Sequence, residues 1–417
     1  MEYIVVAVVA VTLILMVHAS FEARLAGRIL SVLMAAFVVR LAVNVMVTRS
    51  GLIDYGGDNL YYEAKAVEIA EYWRHYGVQF VGSEQVGPIY SISVPCHLFA
   101  IVVYLCGGRA PLACTAVVAL IACGLCVVMY RFARLVGADE RAAFRLLVIT
   151  AFLPGFLLHT SDTFKDGLNA FLVLACLALA ASNMQRFGMR KLLLLTPLLW
   201  ALWHVRPYMV FMCGLPLLLG VARIRRAVSP RTLLVVAALA VPALVAIQGT
   251  GELPAAEILQ EQLERGQSAQ VRSANAEGGS GVVFEDGGDA WNALGPKIAY
   301  TVLAPFPWMS GSPTLQFGKV DTVLWYYLLY CAAEGFRRLW RHDRRMLLII
   351  MLFIIPGTVA YATTMSNIGL IFRQRMPIVM VTSLLSAIAW TRTPFREDDP
   401  PAPAADAAAS AVPGSRR

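Results

Sequence analysis

Residues 111–130 read PLACTAVVALIACGLCVVMY, twenty consecutive positions without a charge. A helix rising 1.5 Å per residue needs about 20 apolar residues to cross a hydrocarbon core of about 30 Å. Comparable runs recur at 232–249, 346–364 and 369–390. The whole chain carries the same bias: 58% of residues are hydrophobic, 15% are charged and the mean hydropathy is +0.64. A water-soluble globule of this length needs more polar surface than that. The expected fold is therefore an all-α polytopic membrane protein.

Orientation follows from the basic residues, which recur in short clusters between apolar runs. They are Arg24 and Arg28; Arg131, Arg134, Arg141 and Arg145; Arg186, Arg190 and Lys191; Arg223, Arg225, Arg226 and Arg231; Arg337, Arg338, Arg341, Arg344 and Arg345; and Arg392 and Arg396. Cytoplasmic loops are enriched in Lys and Arg. Placing all six clusters inside gives about 11 crossings, N-terminus out and C-terminus in, by the same rule. The spans fall at 2–18, 28–48, 111–130, 144–160, 166–184, 192–205, 208–222, 232–249, 319–336, 346–364 and 369–390. Two apolar stretches are left over by parity. Residues 88–106 read as an interfacial or re-entrant outer helix broken by Pro88 and Pro95, and 297–310 read as interfacial too. The dispersed basic residues exclude a nucleic-acid partner despite a net charge of +8.

Met1 to His18 lacks a basic start and is followed at once by a second span, so it reads as a retained helix rather than a signal peptide. The eight cysteines lie mostly inside apolar runs without metal-ligand spacing and read as buried thiols. Residues 1–394 form one transmembrane domain with outer loops at 49–110 and 250–318. The second loop holds an amphipathic stretch (254–265) and a Gly/Ser/Asn-rich run (275–289) that reads as a lid or a loop tip. The tail 395–417, rich in Pro and Ala, reads as disordered and cytoplasmic.

Ionisable residues at the outer boundary are costly unless paired or hydrated, and so are candidates for function. Asp58 follows Gly56-Gly57 and opens a helical pattern of Tyr62, Ala66, Ile69, Ala70 and Trp73 interleaved with charges. This reads as an amphipathic helix on the outer surface, with Asp58 either capping it or acting in chemistry. In His159-Thr-Ser-Asp-Thr-Phe-Lys-Asp-Gly-Leu-Asn169, Asp162, Lys165, Asp166 and Asn169 follow i, i+3, i+4, i+7 spacing. The spacing predicts one polar helical stripe entering the fifth span. Arg206 in His204-Val-Arg-Pro-Tyr208, and Arg373 and Arg375 in Asn367-Ile-Gly-Leu-Ile-Phe-Arg-Gln-Arg-Met-Pro377, are outer arginines against the positive-inside bias. Arginine forks suit phosphate, although Arg375 could simply snorkel to headgroups. Carboxylates and arginines at the bilayer edge suit sugar transfer from a lipid phosphate, with a carboxylate as general base and arginines on the leaving phosphate.

These motifs resemble the GT-C superfamily of polyprenyl-phosphate-sugar-dependent glycosyltransferases, and in particular family 39. The likeness covers about residues 28–220 and, more weakly, the last span. It implies that Asp58 is the first-loop catalytic aspartate and Asp162 the acid of the second outer loop. Tyr62, Lys165, Asp166, Asn169, Arg206, Arg373 and Arg375 are then substrate-binding. It further implies an inverting hexosyl or pentosyl transferase on the periplasmic face of a bacterial inner membrane. The donor would be a polyprenyl-phosphate-linked sugar and the acceptor a cell-envelope glycan, lipid or protein. No cofactor is expected. Asn59 stands where the family has the second acid of an Asp-Glu pair, which leaves divalent metal open. A polymerase or ligase of lipid-linked repeats would also fit, with Arg265 and Arg272 in the second loop. A transporter or flippase would need mid-membrane charge, for which Arg40 is the clear instance, whereas a structural subunit of an assembly complex would need no outer cluster.

Overall fold

The computed structural model describes residues 1–51, 57–222, 291–309, 313–364 and 373–392. Among them all regular structure is helical. Helices α1 (Glu2–Ser20) and α2 (Ala23–Val43) come first, and α2 continues into a π-turn at Asn44–Thr48. Next are α3 (Asp58–Tyr76), α4 (Ser83–Val86), a 3-10 turn (Tyr90–Ile92) and α5 (Ser93–Cys106). Then follow α6 (Pro111–Val136), α7 (Glu140–Phe152), α8 (Pro154–His159), α9 (Asp166–Gln185), α10 (Met189–Trp203) and α11 (Pro207–Ala222). The last four are α12 (Leu294–Leu303), α13 (Pro313–His342), α14 (Arg344–Thr364) and α15 (Met376–Trp390).

Five helices are long and apolar enough to cross a membrane: Glu2–Ser20, Ala23–Thr48, Pro111–Val136, Asp166–Gln185 and Arg344–Thr363. Shorter apolar helices accompany them at Tyr90–Cys106, Pro207–Gly220 and Met376–Trp390. The molecule is a helical, multi-pass membrane protein. The expected span 232–249, the stretches 254–265 and 275–289, Arg265, Arg272, Asn367 and the tail lie outside the described residues.

Side-chain contacts sort the helix ends into two groups. At one end Arg131 donates to Ser20 O (2.7 Å), Gln185 to Leu135 O (3.0 Å) and Arg338 to Thr391 O (3.2 Å). At the other, the Glu2 carboxylate accepts from the backbone amides of Leu112 (2.7 Å) and Ala113 (3.2 Å). Those amides are among the four that a helix start leaves unpaired, and an acid there also faces the positive end of the helix dipole. The first helix is thus bonded into the bundle, with Val9, Leu13 and Val17 buried. Close packing comes from small residues: a Cβ at Gly335 of α13 would stand 1.8 Å from the Leu385 carbonyl oxygen of α15. All eight cysteines are free thiols, seven of them buried.

Three expectations need correction. The span at 144–160 is two helices, because Pro154 begins a new one after Leu153 turns extended (ψ 118°). Proline disfavours the α conformation at the residue before it and lacks an amide of its own. The buried Asp321 of α13 accepts from the freed Gly155 amide at 2.7 Å. Pro95 does not break 88–106: it lies in the first turn of α5, where a missing amide costs nothing. Finally, α3 buries the expected stripe of Tyr62, Ala66, Ile69, Ala70 and Trp73, but it shares an apolar core with Cys96, Phe99 and Ala100 of α5 rather than lying on lipid alone. Together α3 and α5 make a small cap over the end of the bundle that carries the site.

Candidate functional site

The site starts from where α9 begins. Thr160 and Ser161 turn their hydroxyls back onto the carbonyls of Phe156 and Leu157 (both 2.6 Å), and the Phe164 amide bonds Asp162 O at 2.7 Å. Short polar side chains compete with the helix for backbone groups in this way. Residues 160–165 are consequently a turn, and α9 starts at Asp166. The expected single stripe of Asp162, Lys165, Asp166 and Asn169 is therefore wrong. The turn sends the two aspartates to different partners.

Asp166 is the hub of one cluster. Its Oδ1 accepts from Arg206 Nη2 at 2.6 Å, and its Oδ2 from Arg373 Nε. Arg373 reaches on to Asp58 Oδ2 at 2.6 Å and stacks over the Phe164 ring at 5.0 Å. Arg206 also donates to the Tyr208 hydroxyl (2.9 Å) and Gln374 Oε1 (2.8 Å), while its buried Nε has no partner among the described residues. Asp166 is 2% exposed, whereas Asp58 is 44% exposed. Asp58 is the first residue of α3, one past its cap Gly57, and its carboxylate faces Arg373 and solvent.

Asp162 belongs to a second cluster. It is fully enclosed and accepts from Arg49 Nη2 (2.6 Å), Asn59 Nδ2 (2.8 Å) and the Thr163 amide (2.8 Å). Arg49 also pairs with Glu63, which the Thr163 hydroxyl approaches at 3.1 Å. Helix α3 connects the clusters through its period: Asp58 and Tyr62 lie four apart towards the first, Asn59 and Glu63 four apart towards the second. Tyr62 is buried, and burial, followed by the charges of Asp58 and Asp166, pushes its phenol above the ordinary value, so it serves as a neutral hydroxyl.

Of the other expected residues, Asn169 is buried three residues into α9, and its Oδ1 has no partner among the described residues. Arg375 turns away from the cluster: it donates to Thr301 O (3.0 Å) and Val302 O (3.2 Å) and sits over the Trp325 ring at 5.9 Å. It therefore stands apart from Arg206 and Arg373. Arg49 and Glu63 were missed by sequence reasoning, although Arg49 ends an apolar run at the boundary expected to face out, the criterion that singled out Arg206. Among the described residues no group of three or more His, Cys, Asp or Glu side chains could hold a metal ion.

No protein-family model, no curated protein and no solved structure matches this chain. The site has to be read from its own chemistry.

Lys165 is its titratable element near neutrality. Its ammonium reaches Ser91 O at 3.0 Å, and burial, then the neighbouring Arg206, brings its pKa down to about 7. Below that value it adds a positive charge beside Arg206 and Arg373; above it the amine is neutral. Folding correspondingly gains from this group as pH rises from about 7 towards the free-lysine value of about 10.4. An anionic ligand bound here raises the pKa again, so its affinity is expected to fall as pH rises from 6 to 8. Phosphate-lipid binding followed by fluorescence across that range checks this, with Lys165→Met expected to flatten the profile.

Proposed function

We propose that this chain is a GT-C-type glycosyltransferase of a bacterial inner membrane. It takes a sugar from a polyprenyl-phosphate donor on the periplasmic face and transfers it to a cell-envelope acceptor. The observation that carries the reading is the contrast within one cluster: Asp58 is open to solvent while Arg373, Asp166 and Arg206 behind it are enclosed. An exposed carboxylate steadied by a guanidinium can accept a proton from an incoming hydroxyl. In the reaction the acceptor oxygen bonds to the anomeric carbon as the bond to the phosphate oxygen breaks. The proton passes to Asp58, and the phosphate leaves with the electron pair towards Arg206, Arg373 and Lys165. Attack opposite the leaving group inverts the anomeric centre. Asp162, saturated by Arg49, Asn59 and Thr163, supports the turn between α8 and α9 rather than meeting substrate.

Eleven crossings with both clusters outside accompany this reading. Single cysteines placed at 280 and 340 of a cysteine-free chain are expected to react with an impermeant thiol reagent at 280 only; reversed labelling would sink the outward-facing site. The activity itself is tested with purified protein given a mixture of lipid-linked sugars and envelope acceptors. Release of polyprenyl phosphate from monophosphate donors supports the transferase. Consumption of pyrophosphate-linked oligosaccharides alone would make it a polymerase or ligase.

A further inference from the structure

A cavity of about 480 Å³ runs between α13, α14 and α15, lined by Leu329, Ala333, Phe336, Met351, Ile378 and Leu385 among other residues. Its volume is in the range of ligand pockets, roughly 300–1,000 Å³. The two ends differ. At the site end Trp325 and Arg375, both 2% exposed, close it, and Arg375 is bonded to the Thr301 and Val302 carbonyls. At the basic end it reaches Arg337, whose side chain is 75% exposed. Arg337 touches Glu334 only at 3.9 Å, and that carboxylate is already held by Arg338 at 3.1 Å. Arg341, also exposed, lies four residues on, on the same face of α13. From Trp325 to Arg337 a helix rises about 18 Å, slightly more than half of a hydrocarbon core of about 30 Å.

An apolar slot about 18 Å deep, closed by Trp325 and Arg375 and opening beside Arg337, only weakly held by Glu334, and its neighbour Arg341, has the polarity of one kind of molecule. We propose that it holds an acyl chain of an anionic phospholipid from the leaflet at the basic end, with the phosphate clamped by Arg337 and Arg341. The two arginines supply the charge complement and the slot supplies the apolar one. A zwitterionic lipid offers the same chain but no net charge to the clamp. The site is separate from the Asp166 cluster, and the inference is independent of the transferase reading.

The test uses the full chain in neutral detergent micelles doped with dioleoyl-phosphatidylglycerol or dioleoyl-phosphatidylcholine, with bound lipid counted by native mass spectrometry and stability followed by thermal melting. Phosphatidylglycerol is expected to bind in a single tight class and raise the melting temperature, and phosphatidylcholine to do neither. The paired change R337A with R341A is expected to weaken phosphatidylglycerol binding about 30-fold, from the loss of two surface arginines. A333F, which fills the slot and leaves both charges in place, is expected to abolish the tight class as well. Equal binding of the two lipids, or unchanged phosphatidylglycerol binding in both variants, overturns the proposal. So does efficient disulfide formation between Ala333→Cys and Ala240→Cys, which would give the slot to the chain's own apolar run.

Discussion

Asp58→Asn is expected to cut sugar transfer about 10²–10⁴-fold, the contribution typical of a positioned general base, while the protein still folds. The amide keeps the size of the carboxylate and can still accept a hydrogen bond from Arg373, but it cannot take the acceptor's proton. Because Asp58 is 44% exposed, the charge lost is a hydrated one, and Arg373 keeps its buried partner Asp166. Melting temperature and donor affinity should therefore remain near wild type while turnover collapses. Turnover close to wild type would remove Asp58 as the base. A lost fold would show instead that the Asp58–Arg373 pair is structural.

Asp166→Asn is expected to have the opposite signature. It leaves Arg206 and Arg373, 6% and 9% exposed, facing an uncharged amide. Breaking a buried pair by removing one partner costs about 3–5 kcal/mol, and here one acid serves two guanidinium groups. The melting temperature in detergent is expected to fall by about 3–6 °C, on the scale of roughly 1 °C per kcal/mol for a chain this large. Arg206→Met in the same background should restore part of the loss, since it removes one of the stranded cations. A single Asp166→Asn variant as stable as wild type would mean that water already carries this charge.

What could be read from the sequence, and what could not, divides along physical lines. The buried stripe of α3 was legible because a helix repeats every 3.6 residues and the side chains at 62, 66, 69, 70 and 73 obey that period. Asp58, Asp166, Arg206 and Arg373 were legible because charge at the edge of a membrane-spanning run is costly, which makes each of them conspicuous. The turn at 160–165 was hidden, since i, i+3, i+4 spacing looks the same whether or not the hydroxyls of Thr160 and Ser161 reclaim the backbone. Arg373 and Arg375 look alike in sequence. They part because Arg375 begins the last helix and meets the open carbonyls at the end of α12. Arg49 and Glu63 were overlooked because each reads alone as an ordinary polar residue at a boundary, and only the fold brings Asp162 between them.

The spread of the Asp166 cluster along the chain orders its assembly during synthesis. Arg206 lies 40 residues beyond Asp166, but Arg373 lies 207 beyond it and 315 beyond Asp58. At roughly 5–20 residues per second, Arg206 follows Asp166 out of the ribosome within about 2–8 s and Arg373 only after about 10–40 s. The Asp166–Arg206 pair can thus form while the second half of the protein is still unmade. Asp58 waits longest, since its partner Arg373 comes 315 residues later. A chain that stops short of Arg373 carries a buried acid with only one of its two guanidinium partners.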